Sequence, residues 1–177
     1  MTTLPIPRHL KDILKPTGDK NNEFNVTGEI VCDCGSGSFK LKLVGDTSFY
    51  VNQRVIKVIG IDGDYFLIVK AACNQCGKEH LIFDAHLHGW NGFVCGRGEE
   101  IPERPVSEDW HCNKCGKTDH LMQVSIQSQG QDDFIEEAGE EDFDKDDWVD
   151  AFGWITIMVE CNACKEKNKE WISYETM

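Results

Sequence analysis

Eight of the nine cysteines in this 177-residue chain fall into four close pairs: Cys32/Cys34, Cys73/Cys76, Cys112/Cys115 and Cys161/Cys164. Two such pairs, each in a short loop and separated by strand-like sequence, offer four thiolates to one tetrahedral metal ion. The expected ligand sets are Cys32, Cys34, Cys73 and Cys76 for one ion, and Cys112, Cys115, Cys161 and Cys164 for a second. A closed shell of four protein thiolates has no position for water, so these sites should fold the chain and not catalyse. Zinc is the expected cofactor, two ions per chain, with iron in the same sulfur shell as the alternative. Cys95 stands alone beside Gly96-Arg97-Gly98, without a base near it in sequence, and reads as a spare thiol.

In a secreted chain the same cysteines would read as disulfides. Met1 to Leu10 carries Pro5 and Pro7 and lacks the apolar run of a secretory signal. No stretch approaches the roughly 18 apolar residues of a membrane span. The expectation is a soluble, cytoplasmic chain with no membrane partner, where reduced thiols favour metal.

The elements that must position these thiols are mostly strands. Phe39, Leu41 and Leu43 alternate with Lys40 and Lys42, and Met122, Val124 and Ile126 alternate with polar residues, the period-two signature of half-buried strands. Val55 to Ile61 and Asp64 to Val69 flank Asp62-Gly63, which predicts a type I′ hairpin turn. Leu81 to Phe83, Trp154 to Val159 and Trp171 to Tyr174 read as further strands around the cysteine loops. His9 to Lys15 predicts a short N-terminal helix ending before Pro16, and Gly96 to Asp109 reads as a linker.

The two halves can be laid over each other. Val69 to Cys76 matches Ile157 to Cys164, and Cys34-Gly35 matches Cys115-Gly116, each followed by an alternating strand. The inner cysteines are separated by 38 residues in the first half and 45 in the second, which reads as an internal duplication with different inserts. Each copy resembles a zinc ribbon, in which knuckles at the ends of two β-hairpins grip one metal. Gly35, Gly77 and Gly116 fit that pattern, since the residue after the second cysteine of a knuckle often needs a left-handed conformation. Two features depart from it: Cys32 and Cys34 are one residue closer than usual, and Lys165 replaces the expected glycine. The resemblance implies a mainly β fold of two tandem zinc-ribbon-like units with a short N-terminal helix. The segments are 1–25 (helix and lead-in), 26–95 (first unit), 96–109 (linker) and 110–177 (second unit, with an acidic insertion at 131–150). Ribbons serve many roles, so the resemblance is specific for metal and silent on activity.

The net charge of −13 is unevenly spread. Residues 1–105 hold 12 Lys/Arg against 13 Asp/Glu, whereas residues 106–177 hold 6 against 18. Residues 131–150 alone carry 11 acids against Lys145. Solvating acidic tails usually lack apolar anchors, but this stretch interleaves Phe134, Ile135, Phe143 and Trp148. Asp132, Asp133, Phe134, Glu136, Glu137, Asp142, Phe143, Asp144 and Trp148 are therefore candidate contacts for a partner protein with a basic surface; the bland alternative is a solubilising loop. Asp142, Asp144 and Asp146 only faintly resemble a calcium loop, because Asp147 and Gly153 occupy its glycine and glutamate positions.

Two other functions compete with such an interaction or regulatory module. Nucleic-acid binding would need a basic stripe from Lys40, Lys42, Arg54, Lys57 and Lys70, against an opposing net charge. A metal-dependent hydrolase would use Asp84, His86 and His88, which recur every second residue and would share one face of a strand; the bland reading there is an exposed strand face. Trp90 and Phe93, in a glycine-rich turn, are expected to cover the core of the first unit, with a recognition loop as the alternative.

Overall fold

A computed structural model describes residues 3–44, 59–61, 64–138 and 143–177, with no side-chain description for 59–61, 64 and 65. The expected turn at Asp62-Gly63, the strand residues Val55 to Val58 and the candidate basic residues Arg54 and Lys57 lie outside the described residues, as does Asp142.

In chain order, a 3-10 turn (Arg8–Leu10) leads to β1 (Leu14–Pro16), β2 (Asn25–Ile30) and β3 (Phe39–Val44). The short strands β4 (Ile59–Ile61) and β5 (Asp64–Phe66) precede β6 (Ile68–Cys73) and β7 (Glu79–Asp84). A π-helical turn (Trp90–Cys95) and β8 (Glu108–Asp109) come before β9 (Asp119–Gln127). Helix α1 (Gln131–Ala138), a second 3-10 turn (Lys145–Val149), β10 (Trp154–Cys161) and β11 (Lys167–Glu175) follow. The fold is mainly β.

Alternation decides which face of each strand is buried. His120, Met122, Val124 and Ile126 of β9 point inward, as do Ile155, Ile157, Val159 and Cys161 of β10. β9 is the strand on which the sheet turns. It pairs antiparallel with β10 from His120 to Gln127, and along its other edge with β2 (Asn25–Glu29) and then β3 (Phe39, Lys40). Strands β6 and β7 extend the sheet beyond β3, β1 lies outside β2, and β11 lies outside β10. One curled antiparallel sheet thus runs through both halves of the chain. Its main core draws on both as well: Phe39, Leu41 and Phe83 pack with Val124, Ile155, Ile157 and Ile172. The two expected units are joined in one sheet and one core, because β9 finds its second edge on strands of the first half. The segment read as a linker contributes β8, which pairs with Leu43 and Lys42 of β3.

The N-terminal helix is shorter than the span expected from His9 to Lys15. Only Arg8–Leu10 turns, with i→i+3 bonds from Leu10 to Pro7 and from Lys11 to Arg8. From Leu14 the chain is a strand, pairing with Ile30, Glu29 and Gly28. Leu10, Ile13 and Leu14 are still the buried residues, so the pattern marks the right side chains while the free edge of β2 overrides local helix propensity. Gly28 permits that pairing: a Cβ there would lie 2.5 Å from the Lys15 carbonyl oxygen.

The acidic insertion is structured where it is described. Phe134, Ala138, Trp148 and Ala151 form a second hydrophobic cluster with Val94, flanked by Trp90, Phe93 and Phe143. Trp90 meets Phe134 edge-on at 6.2 Å, and Phe93 lies 5.7 Å from Phe143. The aromatic turn therefore covers the acidic insertion and not the core of the first half. Arg8 ties the far side down, bonding Asp147 at 2.6 Å and Asp150 at 3.0 Å.

Candidate metal centres

Each four-cysteine set converges at one end of two antiparallel strands. Cys32 and Cys34 follow β2, while Cys73 closes β6 and Cys76 lies in the turn to β7. Cys112 and Cys115 precede β9, while Cys161 closes β10 and Cys164 lies in the turn to β11. Within each set the sulfurs all lie within 4.8 Å of one another. Cys32–Cys76 and Cys34–Cys73 are 3.5 Å and 3.6 Å apart in the first, and Cys112–Cys164 and Cys115–Cys161 are 3.6 Å and 3.5 Å apart in the second. A disulfide would need about 2.05 Å. A tetrahedron with metal–sulfur bonds of about 2.3 Å has sulfur–sulfur edges of about 3.8 Å, which is the scale found. Each group could hold one metal ion.

The backbone prepares the sulfurs in the same way at both centres. Cys73 N–H bonds the Lys78 carbonyl and Gly77 N–H the Cys73 carbonyl; Cys161 N–H bonds Glu166 and Lys165 N–H bonds Cys161, all at 2.9 Å. These turns aim further N–H groups at the first sulfur of each knuckle. The Cys76 N–H, against the cost of burial, pulls the Cys73 thiol down to about 6, and the Cys164 N–H draws Cys161 down to about 7. Burial pushes Cys32 up to about 12. Four thiols this close cannot all ionise beside one another unless a cation is shared among them, which is the chemistry of a metal thiolate centre.

The surroundings of the two centres correspond with opposite signs. At the first, Asp33 between the leading cysteines pairs with Lys78, two residues beyond Cys76. At the second, Lys114 between the leading cysteines pairs with Glu166, two residues beyond Cys164, at 3.0 Å. The first centre has in addition His80, whose Nε2 lies 3.3 Å from the Cys32 sulfur. Gly35, Gly77 and Gly116 have φ of 87°, 76° and 71°, as the ribbon pattern expects, and Lys165 takes φ 60° in the place of a glycine.

A single carboxylate lies between the centres. Asp119 Oδ1 accepts from Asn74 Nδ2 at 3.0 Å, Asn162 Nδ2 at 2.8 Å and the Ser38 hydroxyl at 2.6 Å. Asn74 follows Cys73 directly and Asn162 follows Cys161, so each asparagine belongs to one knuckle. No motif marks Asp119; its only signal is that it stands four residues after Cys115, as Ser38 stands after Cys34.

The face expected from Asp84, His86 and His88 does not form. β7 ends at Asp84, and the two histidines lie in the turn that follows. Asp84 is buried, held by Arg104 Nε at 2.6 Å and by the His86 backbone N–H at 2.9 Å. His88 stacks on His9 with ring centroids 3.6 Å apart, and its Nδ1 accepts the Asp84 N–H at 3.0 Å. Among the described residues, the two cysteine sets are the only groups of three or more side chains arranged to hold a metal. Of the basic candidates described, Lys40 faces Asp109 at 3.5 Å, while Lys42 and Lys70 share Glu79 at 2.8 and 3.2 Å. Cys95 is exposed at the end of the π-helical turn.

Of the candidate partner contacts, Phe134 and Trp148 are only 3% and 4% exposed, so both are corrected to core residues of the second cluster. Phe143 is half-buried, its ring capped by the Arg97 guanidinium at 4.1 Å. Asp132, Asp133, Glu136, Glu137 and Asp144 remain exposed.

Fold and site together define a mainly β chain with two four-cysteine groups, each able to hold a metal ion and each consistent with a zinc-ribbon-like unit. No family model, curated protein or solved structure matches the chain. None of the described helices is long and apolar enough to cross a membrane.

Proposed function

We propose that this chain is a zinc-binding, non-enzymatic interaction module of the cytoplasm, in which two structural zinc ions set the fold and the acidic segment docks a partner protein with a basic surface. The observation that carries the reading is how the acidic segment is held. Its apolar side is packed into the Phe134–Trp148–Val94 cluster and anchored by Arg8, so its carboxylates are displayed from a fixed backbone. Asp132, Asp133, Glu136 and Glu137 occupy the outward side of α1, with Ile135, 45% exposed, at the margin of that side. A fixed array of like charges steers an oppositely charged partner, and an exposed apolar side chain at its margin adds hold. Correspondence of the knuckle turns, of the sign-reversed ion pairs and of Ser38 with Asp119 supports taking the two centres as copies of one duplicated unit.

Capture from a nuclease-treated lysate tests the docking. The intact chain is compared with one carrying Asp132→Asn, Asp133→Asn, Glu136→Gln and Glu137→Gln. A protein retained by the first, absent from the second and released by raised salt is the expected result. Identical capture by both would reduce the segment to a solubility device. Elemental analysis tests the metal, with two zinc ions per chain expected.

A further inference from the structure

We propose that Asp119 is a positioning residue shared by the two metal centres, and that through it they bind metal cooperatively. This rests on the reading of both cysteine groups as metal sites. Each centre joins two loops. In the first, Asn74 N–H bonds the Ser38 carbonyl at 3.0 Å, and in the second Asn162 N–H bonds the Asp119 carbonyl at 2.9 Å. Those contacts tie the trailing knuckle of each centre to the strand that leaves its leading knuckle. The side chains then join the two centres to each other, because Asn74, Ser38 and Asn162 all donate to one oxygen, Asp119 Oδ1. Asn74 Nδ2 also reaches the Ser38 hydroxyl at 2.8 Å, closing the network.

The asparagines can occupy these places only when their knuckles are folded. An asparagine adjacent to a ligating cysteine is fixed when the four sulfurs are drawn onto an ion, as outer partners of metal ligands generally are. Metal at the first centre therefore fixes Asn74 and Ser38 against Asp119. The carboxylate is then already placed to receive Asn162, and part of the ordering the second centre requires is complete before its ion arrives. Hydrogen bonds to a carboxylate are among the stronger ones, and Asp119 collects three of them on one oxygen. Linkage makes the effect reciprocal: the second centre favours the first by the same factor.

The test is a Co2+ titration of the full chain against a competing chelator, read by the thiolate-to-cobalt absorption. The first centre is disabled by Cys34→Ser with Cys76→Ser, and Co2+ affinity at the second is measured with Asp119 present and with Asp119→Ala. The expected result is a loss of at least about fivefold at the second centre when Asp119 is present, shrinking to about twofold or less without it. Asp119→Asn, which keeps an acceptor oxygen, should restore the coupling in part. A merely structural carboxylate would weaken both affinities and leave the ratio unchanged. Should Asp119→Ala not fold, Asn74→Ala combined with Ser38→Ala removes both first-centre donors while retaining Asp119, and should give the same reduced ratio. The proposal is overturned if two Co2+ ions bind and the second centre ignores the state of the first, an outcome that leaves the metal reading intact. A chain that binds no Co2+ through thiolate overturns the metal reading and this proposal with it.

Discussion

Lys165 occupies in the second centre the place that Gly77 occupies in the first. Their φ angles are 60° and 76°, and each N–H donates to the carbonyl of the leading cysteine of its own knuckle at 2.9 Å. A side chain in the left-handed region costs roughly 1–2 kcal/mol, of which glycine's greater freedom in the unfolded chain offsets part. Lys165→Gly is therefore expected to stabilise the chain by about 0.5–1 kcal/mol, and Gly77→Lys to destabilise it by a similar amount. Paired thermal melts at fixed zinc check both signs.

Metal removal should act on structure and not on any chemistry. Stripping the ions with a strong chelator is expected to cost the near-ultraviolet signal of Trp110 and Trp171, whose rings lie 5.0 Å apart beside the second centre. Cys161→Ser should reduce the zinc content from two to one. Retention of a cooperative melt at unchanged temperature after chelation would contradict a folding role.

Stability should fall on mild acidification because of His9 and His88. The two rings are stacked and half-buried; desolvation holds His9 down to about 4 and His88 to about 2, with neighbouring His9 and Arg104 adding to the latter. In the unfolded chain both titrate near 6.5. Between about 6.5 and the folded values the unfolded state binds protons that the folded state does not, so stability is full above pH 6.5 and declines below it. The loss between pH 7 and 5.5 is expected to be about 2–3 kcal/mol. His9→Leu should lessen that dependence in urea unfolding; an unchanged slope would place the titration elsewhere.

Asp84 should prove structural. Its carboxylate is almost wholly buried and is bonded by Arg104, so Arg104→Ala leaves a buried charge without its partner and should cost about 3 kcal/mol or more. Replacing Asp84 and Arg104 together by apolar residues should cost less than Arg104→Ala alone, which a double-mutant cycle reads directly.

Trp148→Ala should destabilise the acidic segment by about 3–5 kcal/mol, if its neighbours do not collapse into the space. Amide exchange in α1 should accelerate while the amides of both knuckles stay protected, since Trp148 belongs to the second cluster and not to the main core.

What was legible in the sequence was short-range. The eight cysteines, the glycines behind them and the alternation of Phe39 to Leu43 and Met122 to Ile126 are all patterns within a few residues, and the structure carries them. What escaped depends on residues far apart in the chain. No local pattern says that Ile126 will lie beside Val26, or that His9 will stack on His88. Strand pairing at such distance is chosen by which edges remain free after the nearer pairs have formed. Helix α1 was hidden differently: its acidic composition suggested a loop, although Phe134 and Ala138 carry the i, i+4 spacing of a buried helical face. The alternation of Asp84, His86 and His88 misled because period two describes a strand only as far as the strand runs, and here it stops at Asp84.

The insertion of β9 between β2 and β3 also dictates an order of events when the chain is made from its N-terminus. All four cysteines of the first centre are synthesised before β9 begins, so β3, β6 and β7 can meet and gather that centre early. Strand β2 meanwhile has only the three-residue β1 beside it, and its other edge waits for residues 123 to 127. The nascent first half thus carries an open, adhesive strand edge until the second arrives. A ribosome stalled between the two would present a species prone to pairing with its neighbours.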